Sequence, residues 1–239
     1  MTNKSILIIG SSGGIGKAFV DFYKQQDINN KIVGLSRSGE HQESLHAHYF
    51  IDLEEEQSIE NAANQAHVHG PYQIIIVATG ALHGDDFFPE KSFKQISAKN
   101  LHKVFNINAI GPALVGRSFI PLLDTENSSV LSFLSARVGS ISDNKLGGWH
   151  AYRASKAALN MLIKNFSIEL SRTNKLAKVI GLHPGTVDTQ LSKPFQRNVS
   201  EHKLFTPEFA ASSMAAVIDN LADNEAGSVF AFDGSKIDS

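Results

Sequence analysis

The sequence predicts an α/β fold, a doubly wound parallel sheet sandwiched by helices, as a single domain over residues 1–239. Three observations predict it. Short, wholly apolar runs alternate with longer amphipathic stretches. Runs such as Ile74-Ile75-Ile76-Val77 lack polar alternation, as strands covered on both faces require. A glycine cluster between Gly10 and Gly16 closes the first apolar run where the first helical pattern begins. Right-handed crossovers between such strands wind the sheet in both directions.

The elements follow in order. Ser5–Ile9 is a buried strand and 15–26 a helix. Residues 31–35 form a second strand, 48–51 a weaker third. The polar stretch 54–67 puts Ile59, Ala62, Ala63 and Ala66 on one face, so it is a helix. Residues 73–78 are the clearest strand. Helical patterns follow at 92–105 and 109–123, then a strand at Ser129–Leu134. Helical periodicity covers 151–173, and 177–182 is a strand. Residues 192–206 carry few signals and read as a mobile loop. A helix at 207–221 and a last strand at 228–232 complete the chain.

Composition narrows the function classes. Hydrophobic residues make up 42%, enough for a sizeable core. The net charge of −2 is well mixed, which argues against a nucleic-acid or membrane-surface partner. With no Cys, disulfides and thiolate nucleophiles are excluded. The ten His are scattered without metal-ligand spacing, so no metal is expected. No apolar run is long enough to cross a membrane, and the run Ile6 to Ile9 is too short for a signal-peptide core. A cytoplasmic protein is the expectation.

The glycine loop carries the first chemical signal. Gly10, Gly14 and Gly16, with Ser12 and Ile15 between them, join a strand to a helix. Glycines let backbone approach a phosphate, and a helix N-terminus offers it free N–H groups. The alternative is a tight turn only. The second strand ends Gly34-Leu35-Ser36-Arg37-Ser38, with no acid to bind an adenosine ribose. Arg37 is suited to a 2′-phosphate, so NADP is expected ahead of NAD; a solvated arginine is the alternative.

Tyr152 and Lys156 form a YxxxK pair, i and i+4 on one helix face. Carbonyl–alcohol chemistry needs a group that gives or takes a proton at oxygen. Tyrosine titrates near pH 10 in water, and lowering that by three units takes about 4 kcal/mol of phenolate stabilisation. A neighbouring ammonium, together with the positive nicotinamide of an oxidised cofactor, is the expected source.

The spacing of the glycines and the YxxxK pair resemble the short-chain dehydrogenase/reductase family, whose fold is Rossmann-like. Residues 135–160, His183 to Thr189 and Asp233-Gly234 resemble its C-factor/sniffer-like carbonyl reductase branch. The resemblance implies an NAD(P)-dependent oxidoreductase that interconverts an aldehyde or ketone with an alcohol. It implies Tyr152 as general acid/base, Lys156 on the nicotinamide ribose, and Asn108 in a proton relay. It also implies cofactor contacts at Asp52 and Leu53, at Ala78, Thr79 and Gly80, and at Pro184, Gly185, Val187 and Thr189. Asp52 has a second reading, the cap of the following helix. The family's catalytic serine lies three residues before a glycine, and counting back from Gly139 reaches Ala136. Ser135 is therefore assigned to polarise the carbonyl, with Ser140 as substitute. Phe87, Phe88, Trp149, Phe195 and Phe205, on loops after strand ends, are suited to wall an apolar pocket, with ordinary loop packing as an equal alternative. The resemblance further implies dimers or tetramers built through helices near 109–123 and 151–173. A catalytically weak dinucleotide sensor or signalling protein on the same fold is the rival reading.

Overall fold

The computed structural model describes residues 3–38 and 43–238. Its strands and helices alternate as β1 (Ser5–Ile9), α1 (Gly14–Gln26), β2 (Lys31–Ser36), β3 (Ala47–Phe50), α2 (Glu56–His67) and β4 (Ile74–Val77). Then come α3 (Ala98–Phe105), a π turn (Asn106–Ile110), α4 (Gly111–Phe119), β5 (Ser129–Leu134), α5 (His150–Leu170) and β6 (Ala177–His183). The chain continues as β7 (Thr186–Val187), β8 (Leu204–Phe205), α6 (Pro207–Asp219), β9 (Val229–Ala231) and β10 (Lys236–Ile237).

The main sheet has the order β10-β9-β6-β5-β4-β1-β2-β3. All its pairs are parallel except β10 against β9. From β1 the chain builds outward through β2 and β3, then returns to place β4 on the other side. The strand order reverses there, so the ends of β1 and β4 open a crevice of the kind that binds ligands.

Residues of one strand alternate between two buried layers, as the pleat dictates. Ile6 and Ile8 of β1 join Phe19, Tyr23, Met214 and Ile218 beneath α1 and α6. Leu7 and Ile9 join Ile59, Phe119, Leu159 and Ile163 beneath α2, α4 and α5. Both layers are apolar, which is why the strands carry unbroken apolar runs. At the β3 edge the sheet is less covered, and Phe50 is 56% exposed.

Several boundaries differ from the sequence reading. The stretch 92–105 is broken at Ser97, whose hydroxyl accepts the Asn100 N–H at 3.2 Å and starts α3. Helix α3 then runs directly into the π turn and α4, so no loop separates the two helical stretches. Residues 192–206 fold into 3-10 turns at 193–198 and 201–203 followed by β8, which pairs with β7. The last strand is followed by β10, two residues too short to leave a periodic signal.

Leu131 on β5 is fully buried between layers, whereas Phe50 lies on the open edge. Leu131→Ala is expected to lower stability by about 2–5 kcal/mol, and Phe50→Ala by less than about 0.5 kcal/mol. Urea unfolding midpoints at unchanged slope measure both; equal shifts would contradict this division of the sheet.

Candidate active site

Gly10 leaves β1 with φ +86°, where a side chain is disfavoured. A Cβ on Gly16 would stand 2.0 Å from the Gly10 carbonyl oxygen, so only glycine lets α1 begin this close to the turn. Gly13 precedes α1 and no side chain caps the helix there. Its first-turn N–H groups therefore face outward beside exposed Ser12 and Gly14, an anion cradle by geometry and dipole. Ile15 turns inward to pack on the α1–α6 layer.

Two further predicted segments meet this loop. Thr79 lies against Gly10 and Thr189 against Gly14, each about as close as a Cβ there would permit. Thr79 Oγ1 is buried and has no hydrogen-bond partner among the described residues, so it is an available polar atom in the crevice. Gly185 has φ +77° and lets the chain turn after Pro184, and Val187 O accepts the Ser192 hydroxyl at 2.5 Å. These groups fit a dinucleotide pyrophosphate and the chain that flanks it.

On the far side of the crevice, Ser36 Oγ meets His48 Nε2 at 2.9 Å and Ser38 O at 2.9 Å. Arg37 projects into solvent and makes no ion pair among the described residues. Asp52 accepts the Glu54 N–H at 3.0 Å, so its carboxylate serves the turn before α2. Leu53 is buried in the α2–α4 layer against Gly111.

The helix α5 delivers Tyr152 and Lys156 from one face, and both are buried. Lys156 Nζ donates to the carbonyl of Leu134, the last residue of β5, at 2.8 Å. It lies 5.9 Å from the Tyr152 ring centre. A Cβ on Gly80 would stand 3.3 Å from Lys156 Nζ and 3.5 Å from Asn108 Oδ1, so these three residues meet. Asn108 Oδ1 accepts the Ala81 N–H and its Nδ2 donates to Ala81 O, both at 2.8 Å. The same Nδ2 reaches Ser155 Oγ at 3.2 Å. The side chain of Asn108 thus ties the π turn to the strand end and to α5.

In the protein itself, burial alone moves tyrosine the other way from the lowering that ammonium and nicotinamide together are expected to give. Burial pushes Tyr152 up to about 12 and Lys156 down to about 8. Removal from water disfavours the charged form of each group. His183, at the end of β6, is pushed down to about 4, first by burial and then by the charge of Arg137.

The serine assignment needs correction. Ser135 Oγ donates to Asn160 Oδ1 at 2.5 Å. Asn160 lies two helical turns beyond Tyr152, about 12 Å along the axis. Alternation at the strand end instead places Ala136 beside Tyr152, in an apolar cluster with Leu82, Val138, Trp149 and Phe195. A Cβ on Gly139 would stand 2.9 Å from Lys156, which fixes the register. Ser140 is buried, with its hydroxyl 3.3 Å from Ser142 Oγ and accepting the Asp143 N–H at 3.1 Å.

Two loops roof this cluster. His83 Nε2 stands 3.2 Å from Gln190 O, joining them. Rings continue from Phe88 through His83, Phe195 and Trp149 to Tyr152, with successive centres 5.2–6.2 Å apart. Phe87 and Phe205 are not part of that line. Phe87 packs on Gly84 within its own turn, and Phe205 packs on Phe209, Phe232 and Gly185. Leu82, Val138 and buried Glu90 belong to the site's surroundings and left no mark in the sequence beyond their type.

The family model described as short chain dehydrogenase matches residues 4–200. A 1-hydroxy-2-glutathionyl-2-methyl-3-butene dehydrogenase from Rhodococcus sp. is 38% identical over 135 residues, 56% of this chain and 57% of that enzyme. This chain therefore spans little more than half the length of that relative. The protein C-signal of Myxococcus xanthus is 33% identical over 138 residues, 58% of this chain and 78% of that protein. In fold, the chain is similar to an NADPH-bound carbonyl reductase from chicken fatty liver, with a TM-score of 0.85, 22% identity and full coverage of both chains. The matched span takes in the glycine loop, Asn108, Tyr152, Lys156 and the turn after β6, and the chain belongs to the short-chain dehydrogenase family.

Proposed function

We propose that this protein is an NADP(H)-dependent oxidoreductase that interconverts a small aldehyde or ketone with its alcohol. The observation that carries this is the meeting of Lys156, Asn108 and Gly80 at the strand ends, with the Tyr152 ring centre 5.9 Å from Lys156 Nζ, beside an uncapped helix N-terminus. Gly10, Ser12, Gly14, Ile15 and Gly16 would hold the pyrophosphate, with Pro184, Gly185, Val187 and Thr189 flanking the nicotinamide half. Ala78, Thr79, Gly80 and Asp52 would lie on the adenosine side, with Leu53 packed beneath them in the α2–α4 layer. Arg37, with no acid at the end of β2, favours the 2′-phosphate of NADP over NAD.

The bound cofactor would supply the hydride. Protein residues account for the rest of the reduction. Tyr152 remains protonated through the neutral range, as a general acid must. Its O–H proton passes to the carbonyl oxygen, leaving a phenolate beside the Lys156 ammonium, which stabilises it. In the reverse direction the same phenolate takes the proton of the alcohol. Asn108 holds the strand end and α5 in the positions this transfer needs.

Ala136 favours a second reading, a catalytically weak dinucleotide-binding signalling protein, because no hydroxyl from that position assists Tyr152. Copies of the chain are proposed to associate through α5 and the π turn with α4, where Met161, Ile168 and, in the π turn, Ile110 are exposed. Size-exclusion chromatography with light scattering is expected to give a dimer or tetramer; a monomer refutes that association.

Titration with NADPH and NADH, followed by a panel of aldehydes and ketones, tests the main reading. Tyr152→Phe is expected to cut carbonyl-dependent NADPH consumption about 10²–10⁴-fold while leaving NADPH affinity within about twofold. Arg37→Ala is expected to weaken NADPH binding about tenfold or more and leave NADH binding unchanged. Tight NADPH binding without turnover of any carbonyl moves the conclusion to the signalling reading.

Lys156 also makes stability depend on pH. Its folded pKa of about 8 lies below the ordinary 10.5, so the unfolded chain binds the extra proton between these values. Stability contributed at this position therefore rises as pH increases from about 8 to 10.5, by about 3 kcal/mol. Denaturant unfolding of the protein and of Lys156→Met across that range is expected to show the difference shifting in the protein's favour. A constant difference would show that the ammonium is not buried at neutral pH.

A further inference from the structure

We infer that Trp149 determines substrate specificity at this site, selecting carbonyls conjugated to an aromatic ring, and that Glu90 is the positioning residue that holds it. This rests on the oxidoreductase reading and deepens it. Gly147, Gly148 and Trp149 are successive left-handed residues, with φ of +63°, +66° and +50°. Glycine adopts that region freely, but a bulky side chain there is strained. Trp149 is the one non-glycine residue with positive φ among the described residues. Backbone strain of this kind persists only where surrounding contacts enforce it, and it concentrates at functional sites.

Glu90 supplies the enforcement. It is 3% exposed and has no cationic partner among the described residues. Its backbone oxygen accepts the Trp149 N–H at 2.5 Å. One carboxylate oxygen accepts the Ala151 N–H at 3.1 Å, where the positive end of α5 favours an anion. The other accepts from Asn100 Nδ2 on α3. The carboxylate thereby pins the start of the helix that carries Tyr152, and with it the direction of the indole.

That direction is specific. The indole meets the Tyr152 ring edge-on, centres 6.2 Å apart at 78°, and Phe195 at 5.2 Å and 62°. It remains half-buried, so part of the indole stays open beside the Tyr152 ring that it contacts. The other neighbours, Leu82, Ala136 and Val138, carry no polar side-chain atom. A helix start alone needs no indole in a strained conformation. A wall of aromatic faces and edges next to the proton donor favours a planar π system attached to the carbonyl.

Benzaldehyde and cyclohexanecarbaldehyde are similar in size, but only the first has an aromatic face. In NADPH-consumption assays, Trp149→Leu is expected to raise KM for benzaldehyde about two- to tenfold, with KM for cyclohexanecarbaldehyde changed less than about twofold. Trp149→Asn is the second variant, since asparagine tolerates the left-handed region. Glu90→Ala is expected to reproduce the KM difference between the two aldehydes while lowering kcat for both alike, because it also releases the start of the helix that carries Tyr152, and Glu90→Gln to restore selectivity. Equal changes in the two KM values overturn the assignment while leaving the oxidoreductase reading intact. Trp149 is the sole tryptophan, so its fluorescence reports on this wall directly. If neither aldehyde is consumed, the oxidoreductase reading fails. Saturable quenching by benzaldehyde alone in NADPH-loaded protein, lost in Glu90→Ala, then still supports the aromatic wall, and its absence overturns it.

Discussion

Burial of the sheet on both faces is the constraint from which the rest follows. Most strand side chains are apolar above and below, and the few buried serines, such as Ser132, are met by backbone oxygens, so the layers offer little place for water or charge. Polar chemistry is confined to where strands end and backbone groups lose their ladder partners. Gly10 follows β1, Ala78 to Gly80 follow β4, Ala136 follows β5 and Pro184 follows β6. The segments of the candidate site gather because parallel strands end on one side.

Within that rim, charge is admitted sparingly. Lys156 is buried beneath the crevice and donates to a carbonyl that the end of β5 leaves available. Asn108 satisfies both backbone groups of Ala81, one residue past the last predicted cofactor contact of that strand end. Glu90 does the equivalent for the start of α5. Three buried polar side chains each complete a piece of irregular backbone, as buried polar groups must. The loops can then be short and still hold defined positions.

Strands with unbroken apolar runs, such as Ile74–Val77, were legible, and Ser129–Leu134, interrupted only by Ser132, also has the bounds expected from the sequence. The glycine loop and the YxxxK pair were legible because their chemistry depends on spacing along one segment. What stayed hidden depends on contacts between distant segments. Glu90 reaches Ala151 across 61 positions, and nothing in its own neighbourhood marks it. The direction of Ser135 was decided by the last residues of β5, where a shift of one position exchanges the faces. Phe205 went to a different aromatic group because β8 pairs with β7, a pairing of two residues that no periodicity reveals.

The π turn at Asn106–Ile110 has a consequence for how this chain tolerates change. A π turn is in effect one residue more than an α-helix would hold over the same span. Losing any one residue there would let α3 and α4 fuse into a regular helix, rotating one against the other by about 100°. Asn108 would leave Ala81, and Gly111 would leave the Leu53 backbone against which it packs. Substitutions in this stretch act on single contacts, whereas a one-residue deletion would refit half the molecule. The length of the segment is therefore under tighter constraint than most of its side chains.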